Sequence, residues 1–75
     1  MFGDAQLSSA SGILSLLEDK DKALNIYALE RLNNMVGTYW PEIGEKIDLI
    51  ETFYEDKNFE QRELAALIAA KVYIA

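Results

Sequence analysis

Seventy-five residues without a cysteine make one small domain with no disulfide staple, and a chain of that size buries only about 60% of its unfolded surface. The absence of histidine removes the usual general base, the Ser-His-Asp arrangement and the commonest zinc ligand. Thirteen acidic against seven scattered basic residues give a net charge of −6 and a surface that repels phosphate backbones, which excludes nucleic acid as the expected partner. The longest apolar run, Leu64 to Ala70, is far short of the roughly 20 residues that cross a bilayer, so no membrane role is expected. Residues 1–7 have neither a basic region nor an apolar core of the secretory kind and read as a flexible leader.

From Ser8 the run Ser-Ser-Ala-Ser-Gly offers several N-caps, and Ile13, Leu14, Leu16 and Leu17 follow at helical spacing. They predict a short helix over 10–18, which Gly12 weakens by about 1 kcal/mol and which therefore depends on tertiary contacts. The charged link Glu18-Asp19-Lys20-Asp21 turns the chain, and Asp21 is placed to cap what comes next. A second helix is predicted over 22–36, with Leu24, Tyr27, Ala28, Leu32, Met35 and Val36 on its buried face, widened by Ile26 and Leu29. Asn25, Glu30, Arg31 and Asn33 fall mostly on the other side, Asn33-Asn34 read as exposed amides, and Gly37 supplies the stop.

Tyr39-Trp40-Pro41 then forms a corner, because proline suits a first helical turn and pushes the residue before it out of the helical region. Trp40 is expected to cover the end of the helix pair that it joins. The third helix runs from Pro41 to about Glu55, with Ile43, Ile47, Ile50 and Tyr54 in a stripe and Leu49 and Phe53 beside it. An apolar surface that broad predicts contact with more than one neighbouring helix. Asn58 followed by Gln61 fits a capping box, and a fourth helix is predicted over 59–75. Its stripe is Leu64, Leu67, Ile68 and Val72, thinned by Ala65, Ala66, Ala69 and Ala70 so that another helix comes close. Lys71 is expected to lay its stem on the core with its ammonium in water. Phe59 either staples the start of this helix or faces a partner.

The carboxylates do not assemble a chemistry. Glu18-Asp19-Asp21 lacks the ligand spacing, central glycine and closing glutamate of a calcium loop. Glu42, Glu45 and Asp48 lie along one helical edge instead of facing each other across a pocket, as a glycosidase pair requires. No glycine-rich phosphate loop precedes Lys20-Asp21-Lys22. The reading is an all-α chain of antiparallel helical hairpins, about four helices, with no enzyme activity and no cofactor.

The residues also carry a resemblance. Ser8-Ser9-Ala10-Ser11-Gly12-Ile13-Leu14-Ser15-Leu16-Leu17, Ala28-Leu29, Leu32-Asn33, Tyr39-Trp40-Pro41-Glu42-Ile43, Ile50-Glu51, Tyr54-Glu55-Asp56 and Leu64-Ala65-Ala66-Leu67-Ile68-Ala69-Ala70-Lys71-Val72 come in an order that strongly resembles the N-terminus of the 26S proteasome non-ATPase regulatory subunit 1 family. The likeness covers about 8–73 and implies the start of an α-solenoid-like rod of stacked hairpins in a large scaffold of the regulatory particle. It implies an assembly role in ubiquitin-dependent protein degradation, in cytoplasm and nucleus, with other regulatory-particle subunits or adjoining repeats as partners. On this reading 8–75 is an N-terminal helical-repeat segment, expected to be truncated at Ala75, with an open apolar end that favours self-association of the isolated piece. The interface candidates are Trp40, Phe59, Leu67, Val72 and Ile74. The alternative is a free-standing acidic helical adaptor that binds a peptide or helix.

Overall fold

Asp21 starts the element on which the rest is built. In a computed structural model, which describes residues 10–75, its carboxylate accepts a hydrogen bond from the Ala23 amide at 2.9 Å, the N-cap that the sequence predicts. Among the described residues there are four α-helices: α1, Ser11–Ser15, which tightens into a 3-10 turn at Leu16–Glu18; α2, Lys22–Gly44; α3, Ile47–Glu55; and α4, Arg62–Ile74. No strand occurs among the described residues, so the all-α class holds. The expectation for residues 1–7 lies outside them.

Three helix boundaries differ from those expected, each for a local reason. Gly37 does not stop α2: its φ is not positive, and a methyl built on it meets nothing within 4 Å. A glycine in a helix interior costs only about 1 kcal/mol. Burial of Leu32, Val36 and Ile43 around it outweighs that cost, and the helix continues. The corner survives as a kink at Tyr39 (φ −108°, ψ 21°), two residues before Pro41, whose missing N–H leaves the Gly37 carbonyl without its helical donor. Trp40 itself stays helical. Because a side chain at Gly37 has free space, Gly37→Ala should raise stability by about 0.5–1 kcal/mol, read as a higher urea midpoint at unchanged slope.

The actual break comes at Lys46 (φ −111°, ψ 23°), which splits the helix predicted over 41–55. Its first turn joins α2, and the remainder is α3. Gly44 closes α2 in close contact with α4, since a Cβ there would lie 3.3 Å from Cγ1 of Val72. A larger residue has to push α4 away, and Gly44→Leu should cost about 1–3 kcal/mol by overpacking in the same denaturation assay. α4 in turn begins at Arg62, not 59, and the Asn58/Gln61 capping box does not form, for Gln61 makes no side-chain cap. Asp56 takes that work, its carboxylate accepting from the Asn58 amide at 2.9 Å and its carbonyl from the Phe59 amide at 3.0 Å.

α4 is the shared element of the packing. It lies against both α2 and α3, while α1 and the 3-10 turn lie on α2. Leu29, Leu32, Ile43, Ile50 and Ile68 are the largest fully buried side chains, and Ala65 and Ala69 on α4 let the helices approach. The body measures 40 × 29 × 17 Å, and in its thin direction a helix that packs on one face leaves the opposite face in solvent.

Candidate protein-interaction surface

That thinness decides where the candidate residues lie. On α4, Ala65, Ile68 and Ala69 point inward, and the opposite side carries Glu63, Ala66, Leu67, Ala70 and Ile74, all exposed. Leu67 is 45% and Ile74 84% exposed; seven residues apart, they share one helix face. Leu67 is therefore not on the core face, which corrects that part of the predicted stripe. Trp40 is 42% exposed on α2 and does not cap the hairpin as a buried corner residue.

Two candidates belong to the interior instead. Phe59 is only 5% exposed, its ring centroid 5.0 Å from that of Phe53 at 54°, so it closes the α3–α4 link and offers no outer surface. Val72 is half-buried against the core at Gly44. The structure thus separates the five: Phe59 and Val72 pack the fold, Leu67 and Ile74 form an apolar strip, and Trp40 stands on another helix. Tyr27 and Tyr73 join the exposed aromatics. Tyr27 has the same three- and four-residue spacing as its buried neighbours, and no signal in the sequence marks it as turned outward.

Polar side chains fix the helices beneath this surface. Asn25, expected outside, is buried, and its amide nitrogen donates to the carbonyls of Leu16 at 2.9 Å and Asp19 at 3.1 Å, holding the end of the 3-10 turn. Lys71 lies half-buried as its stem predicts, and its ammonium donates to Oδ1 of Asn33 at 2.8 Å, which gives that amide a structural partner across α2 and α4. The Tyr73 hydroxyl donates to Oε2 of Glu51 at 2.5 Å, tying the end of α4 to α3.

The Tyr73 bond has a pH consequence. Donation to Glu51, with partial desolvation and the charges of Glu51 and Asp48, pushes the phenol up to about 12. Tyr54 is also raised, first by desolvation and then by Glu51 and Glu55. A phenol whose folded pKa is raised adds stability that is complete below its unfolded value near 10 and is lost as pH rises through the folded value. Ultraviolet titration of tyrosinate should accordingly show a last step near pH 12 that Tyr73→Phe removes.

An open groove of about 210 Å³ separates α1 from the end of α2, with Glu18, Glu42 and Glu45 on its walls beside Leu14 and Lys46. Glu42 is already used, its Oε1 accepting from the Ala10 amide at 3.4 Å. Among the described residues no group of three or more metal-ligating side chains is placed to hold a metal ion, and no helix is long and apolar enough to cross a membrane. What the geometry presents is surface for packing.

Residues 8–75 match the family model described as the 26S proteasome subunit RPN2, N-terminal domain. This chain belongs to that family. Among RPN2 relatives, it is 45% identical over 67 residues to the 26S proteasome non-ATPase regulatory subunit 1 of Drosophila melanogaster, which covers 89% of the chain. It is 45% identical over 69 residues to homolog A of the same subunit in Arabidopsis thaliana, and 45% identical over 67 residues to the regulatory subunit RPN2 of Saccharomyces cerevisiae, again over 89% of the chain. The chain spans about 7% of the length of each of these RPN2 relatives.

Proposed function

We propose that this chain acts as a non-catalytic packing segment of a regulatory-particle scaffold, helping to assemble the complex that degrades ubiquitinated proteins in cytoplasm and nucleus. The observation that carries the reading is the family match along 8–75, in relatives that are named as non-ATPase regulatory subunits. The structure supports how such a segment works. One face of α4 is buried against α2 and α3, and the opposite face, with Leu67 and Ile74, is the surface offered to adjoining helical repeats or other regulatory-particle subunits. A free-standing adaptor is not favoured by these relatives.

The test places this segment in the full-length Saccharomyces cerevisiae subunit and compares it with a version carrying Leu67→Ser and Ile74→Ser. Both residues are exposed, so circular dichroism of the isolated segment should stay unchanged, while incorporation into the regulatory particle, read on native gels, should fall at least tenfold. Full incorporation of the doubly substituted protein would show that this face has no role in assembly. In isolation the same strip supports weak self-association. Light scattering after size-exclusion chromatography should show mass rising with concentration for the parent chain and a monomer for the double variant.

A further inference from the structure

Among the described residues, the fold contains two main packing seams that share α2. α1 and the 3-10 turn make their extensive contacts with α2 and with each other, whereas α4 packs on α2 and α3. We propose that residues 10–19 form a strap that opens as a unit of its own while α2, α3 and α4 remain packed. Helices as short as α1 do not persist in water by themselves, and this one contains Gly12 and has no side-chain cap, so it is ordered only by what it rests on.

Among the described residues, what holds it is local. Ala10, Leu14 and Leu17 are its buried side chains, and Ile13 and Leu16 are partly buried against the core. Two polar ties bracket them: Asn25 donates to the carbonyls of Leu16 and Asp19 at one end, and Glu42 accepts from the Ala10 amide over a long 3.4 Å at the other. Opening does not unravel the helix underneath. The cap of α2 lies within its own first turn, from the Asp21 carboxylate to the Ala23 amide, and Leu24 and Asn25 close the first backbone bonds onto the Asp21 carbonyl. The exposed link 19–21, extended at Asp19 (φ −72°, ψ 152°), is where the strap swings free. Released, it uncovers the Asn25 amide and the apolar face of α2 that Leu14 and Leu17 had covered, and water satisfies the freed carbonyls. Such sub-global opening makes one stretch of a domain exchange ahead of the rest.

Native-state hydrogen exchange of the whole chain, read by NMR in low urea, tests this. The Leu14 and Asp19 amides, bonded within the strap at 2.8 and 3.2 Å, should be protected yet exchange at least about tenfold faster than those of Ile68 and Ala69, with a shallower urea dependence. Ile68→Val should speed exchange of the α4 amides by roughly fivefold to tenfold and leave the strap amides unchanged, because α4 stays packed when the strap opens. Asn25→Ala should speed both sets by one common factor, since its bonds are absent from both open states. A single rate and urea slope for strap and α4 amides would overturn the proposal. So would equal acceleration of both sets by Ile68→Val, or Leu14 and Asp19 amides with no protection at all.

Discussion

Ile68→Ala should lower the folding free energy by about 2–5 kcal/mol, the cost of a buried isoleucine truncated to a methyl plus the cavity left behind. Ile68 is fully buried on the helix that both α2 and α3 pack against, so the cavity opens at the junction of the whole arrangement. Domains hold roughly 0.05–0.15 kcal/mol per residue, which for a chain this short amounts to about 4–11 kcal/mol. The truncated chain should therefore melt far below the parent, with a lower urea midpoint or no folded baseline. Leu67→Asp supplies the internal control. Its neighbour in sequence faces solvent, the charge is not buried, and circular dichroism and melting should hardly change. Equal damage from both substitutions would mean that α4 is rotated relative to the orientation described.

Asn25→Ala carries the second large effect. The side chain is buried and donates twice, so its removal leaves the Leu16 and Asp19 carbonyls short of partners, at about 1–3 kcal/mol for each group that water cannot reach. Water enters readily near the exposed Asp19, and the expected total loss is about 2 kcal/mol, measured by urea denaturation. Asn25→Asp should cost more at neutral pH, because a carboxylate would face two carbonyl oxygens. That excess should shrink as pH falls and the acid gains a proton to donate. Identical losses for the two variants at all pH values would contradict the clamp.

Asn25 also marks the limit of what periodicity reveals. Apolar spacing placed Leu29, Leu32, Ile43, Ile50 and Ile68 correctly inside, because three- and four-residue intervals report the face that turns toward neighbours. A polar residue on that face is invisible to the same pattern, and only the tertiary position of the Leu16 and Asp19 carbonyls explains it. The glycine and proline signals were likewise real but misplaced. Gly37 leaves α2 unbroken and Pro41 lies just past a kink at Tyr39, burial on both sides carries the helix through, and the chain breaks at Lys46, after Gly44 and not after Gly37. Leu67 and Ile68 show the same limit for the surface: adjacent apolar residues have equal hydropathic claims, and the seating of α4 between α2 and α3 decides which one is covered. Family membership, by contrast, rests on the order of many residues at once and was legible before any packing was known.

The most direct test of the scaffold reading is replacement of the matching N-terminal segment of the Saccharomyces cerevisiae regulatory subunit RPN2 by residues 8–75 of this chain, followed by quantification of that subunit in purified regulatory particles. The account predicts incorporation at a level close to that of the unaltered subunit. A hybrid that folds, is expressed at normal abundance and stays outside the particle would contradict it.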